Sequence, residues 1–207
     1  MKVLIADDHE LIRRGLKQKL TEELVSVSIE EAEDGAAVLP KIQKNQYDLI
    51  ILDITMPGRN GMDLLKDIKT EFPKLPVLVL SIHPEEQYAL RTLKAGASGF
   101  LNKASAPEEL ITAIRKVAQG AKYITSTLAE QLVQNLDDDE QKPHQRLSNR
   151  EYQVMTLIAS GKTVKEIAES LHISIKTVST YRTRILEKMN FKNNAHIMHY
   201  SIKNNLI

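Results

Sequence analysis

The 207-residue chain contains no cysteine, which excludes disulfides and thiolate metal sites. It also lacks any apolar run near the roughly 18 residues of a membrane span. Its first residues lack the apolar segment of a signal peptide, and no internal repeat is visible. The content of 42% hydrophobic and 27% charged residues is typical of folded globular proteins. We therefore expect a cytoplasmic protein without a membrane partner.

The net charge of +1 conceals an uneven distribution of charged residues. Residues 1–141 contain 17 basic and 23 acidic side chains, whereas residues 142–207 contain 11 basic and 4 acidic ones. A small basic region that follows a larger acidic one favours nucleic acid binding by the C-terminal region alone.

The first 120 residues alternate between short apolar runs and segments with helical periodicity. Strands are predicted at 2–6, 26–32, 48–53, 76–81 and 98–102, and helices at 9–21, 35–45, 61–71, 84–95 and 107–119. Five such βα units predict an α/β doubly wound, five-stranded parallel sheet with right-handed crossovers.

The remaining residues predict a linker and a small all-α domain. Residues 127–136 fit a short helix, and the charged, proline-containing run 137–146 is typical of a linker. Capping boxes begin at Ser148 and Thr163. Four helices are predicted, at 149–160, 164–171, 175–189 and 194–204. The predicted domains are thus 1–120 and 147–207, joined by a linker with a short helix at 121–146.

Acidic, hydroxyl and basic side chains follow the ends of four predicted strands. Asp7 and Asp8 follow the first strand and Asp53 ends the third, so three carboxylates converge at one edge of a parallel sheet if these two strands are neighbours. Their repulsion calls for a cation, and oxygen-only ligands favour Mg²⁺. Ser81 ends the fourth strand and Lys103 follows the fifth, where a hydroxyl and an ammonium suit a phosphoryl group on Asp53. Each residue alone is more often a turn cap or a surface side chain, but the joint arrangement predicts a phosphoryl-accepting site.

Residues 164–189 form a helix-turn-helix candidate. In its second helix an apolar stripe lies opposite small polar residues flanked by cations. The stripe is Val178, Tyr181, Ile185 and Met189; the polar face is Lys176, Ser179, Thr180, Thr183 and Glu187; the flanks are Arg182, Arg184 and Lys188. Such a face suits the DNA major groove, because short side chains reach base edges while cations hold phosphates. An ordinary amphipathic surface helix has the same spacing.

The stretches "IADDH", "DLIILDITMPGRNGMDLL", "LVLSIH" and "AGASGFLNK" resemble the receiver domain of bacterial two-component response regulators. The resemblance implies a flavodoxin-like strand order 2-1-3-4-5 and Asp53 as the phosphoacceptor. It implies Mg²⁺ binding by Asp8, Asp53 and the Thr55 backbone carbonyl, with Asp7 assisting directly or through water. Ser81 and Lys103 would contact the phosphoryl group, and Ser81 and Phe100 would act as the switch. Phe100 stands where such receivers most often carry Tyr, so it has no hydroxyl to donate.

Residues 145–207 resemble the four-helix DNA-binding domain of the NarL/FixJ (LuxR-type) class, through "LSNRE", "GKTVKEIAESLHIS" and "KTVSTYRTRILEKM". The resemblance implies a recognition helix at 175–189 and dimerisation through the last helix. Ser179, Thr180 and Thr183 fall at the family's base-reading positions. We expect phosphate contacts from Lys162, Lys165, Lys176, Arg182, Arg184 and Lys188, and a further DNA contact from Thr177. Small hydroxyls stand where relatives often carry Lys or His, so we expect water and DNA shape to add specificity.

Together these features predict a transcription factor that a sensor histidine kinase phosphorylates on Asp53. Its expected partners are the kinase, double-stranded DNA, a second copy of the chain when phosphorylated or DNA-bound, and RNA polymerase. Two alternatives remain open. A Mg²⁺-dependent phosphatase with an Asp53 nucleophile would usually need a general acid two residues on, where this chain has Thr55. A receiver that serves only for dimerisation would not need the full set of strand-end residues.

Overall fold

The computed structural model describes residues 1–56, 60–82, 85–130, 142–204 and 206–207, without the side chains of residues 86, 87, 106 and 107. Contacts divide the chain into two compact units, Met1–Leu136 and Asp137–Ile207. No helix in the described part of the chain combines the length and apolar character that crossing a membrane requires.

The first unit is a five-stranded parallel sheet with helical crossovers. Its strands are β1 (Lys2–Ala6), β2 (Ser28–Ala32), β3 (Leu49–Asp53), β4 (Val77–Ser81) and β5 (Gly99–Asn102), and its crossover helices are α1 (Glu10–Glu23), α2 (Gly35–Lys44), α3 (Gly61–Glu71), α4 (Glu85–Lys94) and α5 (Ala106–Ala118). The strand order is β2-β1-β3-β4-β5, which confirms the predicted fold class. β2 begins two residues later than predicted, because Ser26 adopts a left-handed φ of 57° and ends the preceding turn.

The strands β1, β3 and β4 are mainly apolar because helices cover both faces of the sheet, whereas the edge strand β2 carries two glutamates. All residues of β3 and β4 are buried, including the strand-end Asp53 and Ser81. On one face, α1 and α5 contribute Leu16 and Ile114 to a continuous core, while α4 packs against β5. The polar strand ends are therefore held at the edge of a packed core.

Residues 121–125 lie along the outer edge of β5 rather than in the predicted linker. Tyr123 forms a parallel bridge with Gly99, and its amide donates to the Ser98 carbonyl at 2.8 Å. Its hydroxyl donates to the Glu109 carboxylate at 2.6 Å. A Cβ at Gly99 would lie 2.9 Å from the Cβ of Tyr123, so this close approach requires glycine. Burial and the Glu109 carboxylate raise the pKa of Tyr123, and the hydroxyl remains a donor.

The first unit continues into a helical segment, α6, at residues 126–130. The Thr125 hydroxyl donates to the Glu85 carboxylate, and Leu128 is buried. The predicted helix at 127–136 is thus present over its first residues, and residues 131–136 lie outside the described part of the chain. The predicted linker is shortened at its start, because the aromatic ring of Tyr123 and the side chain of Leu128 pack on the first unit.

The second unit is helical, as predicted. It contains a 3₁₀ helix (Pro143–Arg146) followed by α7 (Asn149–Ala159), α8 (Val164–Ser170), α9 (Ile175–Met189) and α10 (Asn194–Lys203). Both predicted capping boxes are present, Ser148 with Glu151 and Thr163 with Glu166. The α9 helix ends at Asn190, which adopts a left-handed φ of 55°. The sequence signals for helix starts therefore place α7 and α8 correctly.

The end of the predicted linker also packs on a domain. His144, in the 3₁₀ helix, has its Nδ1 2.8 Å from the Tyr200 hydroxyl of α10. Its ring lies 6.2 Å from that of Tyr152, centroid to centroid. Residues 142–146 therefore belong to the second unit, because their aromatic and hydrogen-bonding contacts are made with its helices.

Candidate functional sites

The predicted cation ligands lie at the carboxyl ends of β1 and β3, which pair in parallel. Asp7 is 1% exposed and Asp53 is 0% exposed, whereas the side chain of Asp8 is 28% exposed. One ligand atom from each of these aspartates, and one from His9, all lie within 4.8 Å of one another. Carboxylate oxygens this close together repel unless a cation lies among them, so the cluster fits a divalent ion.

Lys103 lies between the two buried carboxylates. Its Nζ is 2.7 Å from Asp53 Oδ2 and 2.6 Å from Asp7 Oδ2, and its side chain is 6% exposed. Its backbone amide donates to the Ser81 carbonyl at 2.8 Å, which fixes it to the end of β4. Burial lowers the pKa of Lys103, but the Asp53 and Asp7 carboxylates outweigh burial and the pKa is raised. The ammonium is therefore charged at neutral pH and compensates both aspartates.

The turn after β3 orients the Asp53 carboxylate. Thr55 donates to Asp53 Oδ1 from its backbone N–H, at 2.7 Å, and also from its hydroxyl. Gly61, the first residue of α3, lies so close to this turn that a Cβ there would overlap the backbone of Ile54. Glycine at 61 is thus required for the close packing of α3 beside Asp53. The Thr55 backbone carbonyl as a cation ligand stays a prediction.

Ser81 and Phe100 lie on the same face of the sheet, on neighbouring strands. β4 and β5 pair with Val79 opposite Phe100 and Ser81 opposite Asn102, so alternate residues share a face. Ser81 is 0% and Phe100 is 1% exposed. Because α4 packs against β5, a movement of either side chain would have to be accommodated by a close-packed core.

The α9 helix presents the predicted faces. In its apolar stripe Val178, Ile185 and Met189 are buried, and Tyr181 is half-buried. Of the residues predicted to contact DNA, Thr177 and Arg182 are half-buried, and the exposed ones are Lys162, Lys165, Lys176, Ser179, Thr180, Thr183, Arg184 and Lys188. α9 follows α8 after a four-residue turn at 171–174. This is the arrangement of a helix-turn-helix motif.

The small hydroxyls of α9 already donate within the helix. Ser179 donates to the Ile175 carbonyl at 3.0 Å and Thr180 to the Lys176 carbonyl at 3.0 Å. Thr183 donates to the Ser179 carbonyl at 3.1 Å. Their oxygens therefore offer acceptors on the exposed face, and acceptors match the amino groups of adenine and cytosine in the major groove.

Comparison with known families accounts for both units. Residues 3–115 match the response regulator receiver domain, and residues 145–201 match the luxR family of bacterial regulatory proteins. The chain belongs to the LuxR-type response regulators of two-component systems. The strand-end residues of the first unit thus lie in a receiver domain, and α8 and α9 lie in the DNA-binding domain.

Relatives match this response regulator over its full length. Response regulator UvrY of Escherichia coli K12 is 34% identical over 209 residues, which covers 100% of this chain and 95% of UvrY. Oxygen regulatory protein NreC of Staphylococcus carnosus is 35% identical and covers 100% of this chain and 99% of NreC. The RcsB response regulator of Salmonella typhimurium shares 30% identity over 97% of this chain and 96% of RcsB, with a TM-score of 0.69.

One member of the acidic cluster of this regulator was not predicted from the sequence. His9 follows Asp7 and Asp8 directly, and its Nδ1 lies 3.1 Å from Asp7 Oδ1 and 2.9 Å from Asp8 Oδ1. One feature could have identified His9 as a site residue. It occupies the N-cap position of α1, where Ser, Thr, Asp or Asn is usual.

Two predicted phosphate-binding cations of the regulator make contacts inside the second unit. Lys188 Nζ lies 2.6 Å from the Glu151 carboxylate of α7, and Arg182 Nε donates to Asn194 of α10 at 2.6 Å. Both side chains therefore hold α9 against its neighbours. The helical pattern identified their face but not these partners, and their contacts to phosphates stay predictions.

Proposed function

We propose that a sensor histidine kinase phosphorylates this response regulator on Asp53, and that the phosphoryl group controls dimerisation and DNA binding. The observation that carries this proposal is the buried Lys103 ammonium, 2.7 Å from Asp53 Oδ2. An ammonium at this position is available to bind phosphoryl oxygens on the same carboxylate. The regulator accepts the group without turning over a substrate, and hydrolyses it slowly at most.

The carboxylates of Asp7, Asp8 and Asp53, together with the Thr55 backbone carbonyl, would hold Mg²⁺. When bound, Mg²⁺ neutralises negative charge that develops on a transferring phosphoryl group. The protein positions the acceptor, because Thr55 donates two hydrogen bonds to one Asp53 oxygen while Lys103 holds the other.

Phosphorylation would act through Ser81 and Phe100. The Ser81 hydroxyl would donate to a phosphoryl oxygen, and Phe100, on the same face of the sheet, would repack beneath α4. Because a close-packed core has few alternative arrangements, the new charge-assisted bonds would select between two states of the receiver.

The DNA-binding unit would act as a dimer on paired DNA sites. α10 exposes Met198 and Ile202, one turn apart, as an apolar surface for the same surface of a second copy. One relative supports this proposal: the structure of RcsB of Salmonella enterica serovar Typhimurium bound to promoter rprA in the presence of the phosphomimetic BeF₃⁻. It has a TM-score of 0.66, shares 30% identity and covers 97% of this chain and 98% of RcsB. Transcription would then be regulated through contact with RNA polymerase.

The direct test is intact mass spectrometry after incubation with acetyl phosphate and Mg²⁺. We expect one added phosphoryl group on the wild-type protein, and none with EDTA or with Asp53→Asn. A matched control is Asp63→Asn, which removes a carboxylate from α3 in the same domain. If neither phosphorylation nor beryllofluoride binding occurs in the folded protein, the proposal is wrong.

The basic residues of α9 give a second expected result. Arg184→Ala weakens binding to every DNA sequence and reduces the slope of log affinity against log salt by about 1, because one phosphate contact is lost. Thr180→Val changes the preferred sequence and leaves that slope unchanged, because its oxygen contacts bases. Fluorescence anisotropy with two DNA sequences at several salt concentrations measures both. An unchanged slope for Arg184→Ala would contradict the proposed docking face.

A further inference from the structure

His9 occupies a position where a helix-capping side chain is expected, but its imidazole makes no cap hydrogen bond to α1. The ring points instead at the acidic cluster, with Nδ1 3.1 Å from Asp7 Oδ1 and 2.9 Å from Asp8 Oδ1. The backbone N–H of His9 donates to the same Asp7 oxygen at 2.8 Å. This backbone hydrogen bond therefore holds the Cα of His9, and with it the base of the side chain, close to the carboxylates.

The imidazole adds a different ligand type to the cluster. Its nitrogen lies within 4.8 Å of ligand atoms from Asp7, Asp8 and Asp53. With its proton on Nδ1 the ring donates to the carboxylates. With its proton on Nε2, the Nδ1 lone pair faces the same anionic oxygens, an arrangement that is favourable when a cation lies between them.

We propose that His9 is a specificity-determining residue of this cation site. Its Nδ1 coordinates later first-row divalent ions, for which Zn²⁺ is the probe, whereas the carboxylates alone hold Mg²⁺. Imidazole is a good ligand for Zn²⁺ and carboxylates suit Mg²⁺, so His9 increases the preference for Zn²⁺. This inference rests on one part of the proposed function, the binding of a divalent cation in this pocket, and does not depend on phosphorylation of Asp53.

The position of the Lys103 ammonium at the cluster is compatible with this role. Lys103 pairs with Oδ2 of both Asp7 and Asp53. His9 faces Oδ1 of Asp7 and of Asp8. The ammonium and the imidazole therefore contact different carboxylate oxygens, and a cation bound beside His9 would not have to displace Lys103. The His9 side chain is 55% exposed, so its replacement leaves no buried cavity.

The test compares Zn²⁺ and Mg²⁺ affinities of the full chain, without an affinity tag, by isothermal titration calorimetry. His9→Ala is expected to weaken Zn²⁺ binding at this site at least about tenfold and to change Mg²⁺ affinity by less than about twofold. His199→Ala, which removes an exposed histidine of α10, leaves both unchanged. Asp8→Asn weakens both ions, which identifies the site.

NMR of the imidazole nitrogens provides a readout independent of affinity. Zn²⁺ is expected to shift Nδ1 of His9 in the wild type, and to leave it unshifted in Asp8→Asn. If Mg²⁺ binds but Zn²⁺ leaves the His9 nitrogens unshifted, the inference is overturned and the proposed function stands. If Zn²⁺ binds through His9 while Mg²⁺ supports no phosphorylation of Asp53, the inference stands and the proposed function fails.

Discussion

Replacing Lys103 with methionine is expected to destabilise the receiver domain by about 3–5 kcal/mol in the presence of EDTA. The substitution keeps most of the side-chain volume but leaves Asp7 and Asp53, which are 1% and 0% exposed, without their shared ammonium. Two buried carboxylates would then face each other without a compensating charge. Urea unfolding, followed separately for each domain by NMR, measures the loss of stability.

Divalent cations should reverse much of this loss. Because the carboxylates are the proposed Mg²⁺ ligands, millimolar Mg²⁺ is expected to stabilise Lys103→Met more than it stabilises the wild type. Adding Asp53→Asn to Lys103→Met should also recover stability in EDTA, since only one buried charge remains. Lys66→Met, an exposed lysine of α3, serves as the matched control and should change stability little. Equal stability of Lys103→Met and wild type in EDTA would contradict the charge-compensation role.

The parallel sheet explains why most of the receiver site was predictable. Short apolar runs bounded by turns identified the strands, and parallel strands present their carboxyl ends at one edge. That rule places Asp7, Asp53, Ser81 and Lys103 at the same edge of the sheet. The motif resemblance supplied the strand order, which makes β1 and β3 neighbours and so brings Asp7 close to Asp53. The structure confirms the order and the juxtaposition of Lys103 with both aspartates.

Contacts between residues distant in sequence were not predictable in this way. Periodicity placed Gly61 at the start of a helix. It did not predict the close approach of Gly61 to Ile54, because a single glycine adds nothing to a hydrophobic pattern. Composition placed residues 121–125 in a linker, yet Tyr123 forms a bridge to β5. Similarly, helical spacing put Lys188 on a cationic flank without indicating that Glu151, 37 positions earlier, lies beside it.

Breaking the Glu151–Lys188 pair is expected to have the second large effect, on the stability and acid unfolding of the DNA-binding unit. Glu151 is 2% exposed, and although burial raises its pKa, hydrogen bonds from Lys188 and Ser148 outweigh burial and lower it. A carboxyl with a lowered pKa stabilises the fold above the usual glutamate pKa, and this contribution is lost as the pH falls through its folded-state value. In Lys188→Met the pKa of Glu151 rises, so acid unfolding of this unit should begin at a higher pH.

At neutral pH, Lys188→Met should cost the DNA-binding unit about 2–3 kcal/mol. This is less than for a fully buried pair, because Lys188 is 43% exposed and water screens the interaction. Glu151→Gln should cost less than Lys188→Met, since an ammonium left alone is hydrated whereas a carboxylate left alone stays buried. Lys192→Met, an exposed lysine after α9, is the matched control. If Lys188 acts only as a phosphate contact, its substitution will reduce DNA affinity and the salt slope while stability and acid unfolding stay unchanged.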